Sequence, residues 1–200
     1  MKVMVILGHP NKGSFNHAIA DTVVDTLRTA GYDVIYHDLD GERFGPVLSY
    51  QEIPRDAELD PIIKQHCNEL TSADGFVIVH PNWWGMPPAV LKGWVDRVIR
   101  AGVAYRFVEG DNGEGVPVGL LKAKTAVILN TSNTSVERET TTFGDPLETI
   151  WKNCIFGLCG VKEFHRKNYG VIVTSTAEER TAWLRDVEDK INIYFPSSSK

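Results

Sequence analysis

Residues 3–16 read VMVILGHPNKGSFN, and the fold is decided at their midpoint. Val3–Leu7 is a short, continuous, β-branched run without polar alternation, the pattern of a strand covered on both faces. The run stops at Gly8, and a helix begins near Ser14, whose hydroxyl suits an N-cap. Within that helix Ala18, Ile19, Val23, Leu27 and Ala30 share one face, and Gly31 stands where a left-handed C-terminal cap is expected. The unit is therefore a strand, a polar corner and a helix.

The same unit recurs along the chain. Apolar runs at Phe76–His80, Thr125–Asn130 and Gly170–Thr174, with a weaker one at Asp33–His37, predict further strands. Helical spacing fills residues 56–74, with Pro61 near the first turn, and residues 89–99 after Pro87 and Pro88. Two more helices are predicted over about 145–158 and 176–195; Thr176 and Glu179 have capping-box spacing at the start of the last. Such alternation predicts an open, mostly parallel α/β sheet with helices on both faces. Residues 1–195 are expected to form a single domain, 196–200 a frayed tail, and 101–124 a glycine-rich surface excursion.

Bulk properties narrow the function classes. A net charge of −5 argues against nucleic-acid binding, which needs a basic surface. No run of 18 apolar residues is present, so no membrane span is expected, and the N-terminus lacks the pattern of a signal peptide. Cys67, Cys154 and Cys159 make no CxxC pair; the latter two lie in an apolar stretch and read as buried thiols. A reduced, cytoplasmic setting is expected. Asp96, Arg97 and Arg100 read as a solvated helix face or subunit contact, and His165–Lys167 as a basic surface turn. His66 and His80 do not have metal-ligand spacing.

In sheets of this kind ligands sit beyond the carboxyl ends of the strands. Three segments fall there. In GHPNKGSFN, Ser14, Asn16 and the first-turn N–H groups suit a phosphate, with Lys12 adding charge and His9 lining the pocket. A plain N-cap and a polar turn residue explain Ser14 and His9 equally well. The spacing is neither GxGxxG nor GxxxxGK[ST]. In HPNWWGMPP, stiff prolines present Asn82, Trp83 and Trp84, and two exposed tryptophans suit a flat heteroaromatic ring whose polar edge meets the N–H groups of 82–85. They could instead seal the sheet or a subunit contact. In LNTSNTS, Thr131, Ser132 and Asn133 offer short polar groups at the same rim, or a simple hydroxyl-stabilised turn. An anion site beside an aromatic wall is what flavin mononucleotide (FMN) requires.

GHPNKGSFN, PNWWGMPPAVLKGWVDRVI, AYRF and FGDPLETIWKNCIFGLCG together resemble the flavodoxin-like NAD(P)H:quinone oxidoreductases, a group that includes mammalian quinone reductase and bacterial relatives associated with potassium efflux. The similarity runs from residue 3 to about 190. It implies a flavodoxin-like open five-stranded parallel sheet with helices on both faces. It also implies that His9, Ser14, Phe15 and Asn16 bind the flavin phosphate region. Pro81, Asn82, Trp83, Trp84 and Gly85, with Thr131, Ser132, Asn133 and Thr134, would hold the ring, and Tyr105 and Phe107 would form a substrate-side aromatic wall. Members are typically homodimers with active sites at the subunit contact. The chain departs from the mammalian pattern at Asn133-Thr134, which replaces a Gly-Gly pair, and at Phe143, which replaces a histidine; Glu137 and Thr141 lie nearby.

The expected function is a flavin-dependent NAD(P)H oxidoreductase passing two electrons, in a ping-pong sequence, to quinones or similar flat electrophiles. FMN is slightly preferred over FAD because no second phosphate motif is visible, and NADPH or NADH would be the donor. The alternative is a flavodoxin-like electron carrier or a regulatory flavoprotein of a transporter partner.

Overall fold

A computed structural model describes residues 1–108 and 115–197 of the chain. Strands β1 (Lys2–Leu7), β2 (Asp33–Asp38), β3 (Gly75–Pro81), β6 (Thr125–Thr131) and β7 (Glu163–Tyr169) form one five-stranded sheet in the order β2-β1-β3-β6-β7. Every neighbouring pair in it is parallel. The expected flavodoxin-like sheet is thus present, with the strand order reversing between β1 and β3.

Period-two geometry divides the sheet's side chains between two cores. Val3, Val5 and Leu7 pack with Val77, Val79, Val127 and Leu129 against α1 (Phe15–Thr29) and α6 (Ala177–Tyr194). Met4, Ile6, Phe76, Ile78 and Ile128 face the other way, toward α2 (Pro61–Ser72), α3 (Ala89–Val98) and Trp151. Central β3 and β6 are buried along their whole length, which is why their sequences show no alternation.

The fifth strand is not where the apolar pattern puts it. Gly170–Thr174 lies beyond the sheet, and the strand is Glu163–Tyr169, seven mostly half-buried residues at an edge. An edge strand tolerates charge, so EFHRKNY carries no apolar run; VIVT instead lies just past its end, with Ile172 at the sheet's carboxyl rim. His165–Lys167 are accordingly strand residues rather than a surface turn.

The excursion over 101–124 is not wholly irregular. β4 (Tyr105–Val108) and β5 (Val116–Gly119) pair antiparallel as a separate hairpin, while 109–114 lie outside the described residues. The helix expected over 145–158 divides into α5 (Pro146–Thr149) and a π-helical stretch, Ile150–Gly157, that buries Trp151 and Phe156. A short α4 (Val136–Thr141) precedes it, capped by Ser135. The Thr176–Glu179 capping box forms as expected. Tyr32 Oη donates to the carbonyl of Pro196 at 2.8 Å; of the tail expected to fray, residues 198–200 lie outside those described.

Arg97 departs from the solvated-face reading. It is buried and paired with Glu52, Nε to Oε2 at 2.9 Å and Nη2 to Oε1 at 2.7 Å, which depresses the Glu52 pKa. Cys159 is buried, but Cys154 is exposed. Among the described residues no helix is long and apolar enough to cross a membrane.

Candidate functional site

The corner after β1 is built by its own polar residues. Asn11 Oδ1 accepts from Gly13 N–H at 3.1 Å and its carbonyl from Ser14 N–H at 3.0 Å, closing the turn. Ser14, in extended conformation, caps α1 through His17 N–H, and its hydroxyl lies 2.9 Å from His17 Nδ1. The first-turn N–H groups of Phe15 and Asn16 have no protein acceptor among the described residues, and no acidic side chain occupies that turn. The helix end is therefore electropositive and open, as an anion site requires. Asn16 itself turns inward, where its Nδ2 donates to Thr131 Oγ1 at 2.9 Å and ties α1 to the end of β6.

Between these ends lies a cleft of about 410 Å3, lined by His9, Ser14, Phe15, Trp83, the 131–134 segment, Ile172 and Arg180. Burial, then the neighbouring His17, depress the His9 pKa, and Asn11 N–H donates to its Nδ1 at 3.1 Å. The ring is thus held neutral with its proton on Nε2. Arg180 supplies the cleft's cation, anchored by Nε to Ser175 Oγ at 2.8 Å and Nη2 to Ile172 O at 3.1 Å.

The tryptophan loop is a tight two-residue turn. Trp83 and Met86 exchange both backbone hydrogen bonds at 3.1 Å, leaving Trp84 (φ 59°) and Gly85 (φ 72°) at the tip. Asn82 Oδ1 accepts from Gly85 N–H at 2.9 Å, and Asn82 N–H donates to Thr131 O at 2.7 Å. Of the 82–85 N–H groups expected to frame a ring, only that of Trp84 has no protein acceptor among the described residues. Trp84 is 97% exposed. Beside it a second cleft of about 390 Å3, sharing Asn82 and Thr134 with the first, is walled by Trp84, Gly85, Phe143 and Pro146, with Glu139 also lining it.

A buried polar chain supports both clefts from below. His80 is fully buried; its Nε2 meets Trp151 Nε1 at 3.0 Å and Asn130 Nδ2 at 2.9 Å, while Nδ1 lies 2.8 Å from the Pro81 carbonyl. Asn130 Oδ1 accepts from Arg166 Nε at 2.7 Å, and Arg166 Nη1 donates to Asp145 Oδ2 at 2.7 Å. Burial pushes the His80 pKa down to about 4, so the ring is neutral and accepts both donors.

Of the residues singled out in the sequence, His9, Ser14, Phe15, Asn16, Pro81, Asn82, Trp83, Thr131, Ser132, Asn133 and Thr134 surround the first cleft, and Trp84 and Gly85 the second. Lys12 lines neither. Tyr105 and Phe107 pack edge-to-face on the hairpin, with centroids 5.6 Å apart, and line neither cleft. Asn11, Ile172, Arg180 and Glu139 are contributors that sequence reasoning missed. Arg180 arrives one turn into α6, and only the misplaced fifth strand stood between that helix start and the sheet's rim.

The sequence pattern of the flavodoxin-like fold family matches residues 1–191. The chain belongs to this family. An uncharacterized NAD(P)H oxidoreductase of Haemophilus influenzae is 32% identical over 189 residues, covering 92% of this chain and 91% of its own. Rat NAD(P)H dehydrogenase [quinone] 1 is 31% identical over 125 residues, 53% of this chain and 46% of the rat protein. The crystal structure of Smu.1420 from Streptococcus mutans superposes with a TM-score of 0.81 at 26% identity, covering 96% of this chain and 100% of that one. In this flavodoxin-like protein the first cleft opens at the β1/β3 switch point, where the strand order reverses.

Proposed function

We propose that the protein is a flavin-dependent NAD(P)H oxidoreductase that reduces quinones or related flat aromatic electrophiles. The observation that carries this reading is the joining of an open helix N-terminus to an aromatic turn across a single cleft. The residues fit a flavin. Phe15 and Asn16 N–H groups, Ser14 Oγ and the Arg180 guanidinium suit the phosphate, while Trp83 and the 131–134 segment suit the ring. These donors suit one phosphate, and the sequence offers no motif for a second, which supports FMN over FAD.

Once bound, the flavin supplies two-electron transfer from a nicotinamide to the acceptor. The chain's own residues do the rest. Asn82 and Thr131 fix the spacing of the two rim loops through their 2.7 Å backbone bond. Trp84 and Phe143 offer stacking faces beside the ring site, and neutral His9 lines the first cleft without adding charge. With Phe143 in place of the histidine, Glu139 is the one ionisable side chain among the described residues that line the second cleft.

A homodimer is part of this proposal, because Tyr105 and Phe107 stand away from both clefts of their own chain and would serve a neighbouring copy's site. The test is to load purified protein with FMN or FAD, desalt it, and identify retained cofactor by mass spectrometry. Stoichiometric FMN supports the reading; retention of neither flavin refutes it.

A further inference from the structure

His17 lies in the first turn of α1, behind the open helix end, and the two nitrogens of its ring face unlike partners. Nδ1 is 2.9 Å from Ser14 Oγ, while Nε2 is 3.4 Å from Asp38 Oδ2. The residue is 8% exposed, so the imidazole relies on these contacts in place of water. A helix cap needs only the backbone bond from His17 N–H to Ser14 Oγ, at 3.4 Å. The contact from the ring is additional to it.

The direction of that contact decides what Ser14 can offer the cleft. The Asp38 carboxylate only accepts, so Nε2 keeps its hydrogen. In the neutral ring Nδ1 is then bare and takes the hydroxyl hydrogen of Ser14, which is left with a lone pair toward the cleft. In the imidazolium Nδ1–H donates to Ser14 Oγ instead, and the hydroxyl hydrogen is free for an anion. Charge selects between the two. A cation in the first turn of a helix is disfavoured by the helix dipole. His9, edge-on at 6.1 Å between ring centroids, is held neutral beside it. Asp38 and Asp40 face His17 from the end of β2 and the loop after it, and Asp21 is exposed one turn further along α1. A phosphate dianion at the helix end tips this balance toward the imidazolium.

We propose that His17 is a positioning residue whose protonation turns Ser14 into a phosphate donor, so that the phosphorylated cofactor binds together with a proton. The proton comes from solvent and rests on His17 Nδ1. Ser14 Oγ then accepts from His17 N–H and Nδ1–H and donates to a phosphate oxygen, which uses its one donor and two acceptor places. The assignment rests on reading the first cleft as a flavin site, and its test counts protons rather than turnovers.

Calorimetric titration of the full chain with FMN, in HEPES and in Tris at about pH 8, gives that count from the different ionisation heats of the two buffers. Riboflavin is the probe that lacks phosphate, and a phosphomonoester is already dianionic at this pH. Expected is uptake of about 0.5 to one proton per FMN and less than about 0.2 per riboflavin. Between about pH 7 and about pH 8.5 the FMN affinity should fall about ten-fold. His17→Asn offers an amide N–H in place of Nδ1–H and does not titrate. Its uptake should drop below about 0.2 proton, and its FMN affinity should vary less than about two-fold over the same range, with melting temperature recorded alongside. No uptake with FMN, equal uptake with riboflavin, or uptake persisting in His17→Asn overturns the proposal and spares the flavin reading. Should His17→Asn fail to fold, the wild-type counts decide alone. No binding of FMN overturns both.

Discussion

The indole N–H of Trp151 donates to Nε2 of His80 across 3.0 Å, joining the π-helical stretch to the carboxyl end of the central strand from which the tryptophan loop departs. The ring must stay neutral to accept it, and burial holds the His80 pKa near 4.

A pH dependence follows. An unfolded histidine takes its proton near 6.5, above the folded value of about 4, so the unfolded chain binds more protons between the two. Stability is full above 6.5 and is lost as pH falls toward 4, by roughly 3 kcal/mol for this one residue. His66, also lowered to about 4 by burial and by His37, adds to the same window. Thermal melts across that range should show His80→Gln less acid-sensitive than wild type, though less stable at neutral pH.

His37 behaves in the opposite sense. Burial alone would lower its pKa, but Glu42 at 3.0 Å and Glu69 at 2.8 Å outweigh that and raise it. A raised folded value means that its stabilisation is complete below 6.5 and fades as pH climbs through the folded pKa. Glu69→Gln should therefore destabilise more in mildly acidic than in alkaline buffer, read by chemical denaturation. Equal loss at both pH values would show that the pair is not charged.

Gly93 sits inside α3, where alanine would ordinarily gain about 1 kcal/mol of helix propensity. Here an added Cβ would collide with the Pro46 backbone, which has little freedom to retreat. Gly93→Ala should cost about 2 kcal/mol net, with overpacking winning over propensity. A stabilised variant would contradict the packing described.

Ser14→Ala removes both the α1 cap and a proposed phosphate donor. The expected loss is about 1 kcal/mol of stability and about ten-fold in FMN affinity. Loss of stability with unaltered FMN affinity would leave Ser14 as a cap alone.

The parallel α/β sheet and most of the first cleft were legible in the sequence because buried parallel strands announce themselves as unbroken apolar runs, and GHPNKGSFN and LNTSNTS lie at the carboxyl ends of two of them. The edge strand was not, because Glu163–Tyr169 is only partly covered and carries charge where a central strand cannot. Arg97 was misread for a related reason: its partner Glu52 is 45 residues away, and no local pattern reports such a pairing. Glu139 was hidden by a helix too short to show a period, Val136–Thr141, and its burial is a property of the loops around it. Lys12 looked like the phosphate's cation by proximity in sequence, whereas Arg180 lines the cleft by proximity in space.

The central claim is tested most directly by anaerobic titration of the flavin-loaded protein with NADH and with NADPH, followed by visible absorbance and then by addition of a quinone. Expected are stoichiometric bleaching of the flavin band by at least one nicotinamide and its full return on adding the quinone. A protein that binds no flavin, or whose bound flavin neither nicotinamide bleaches, would contradict the account.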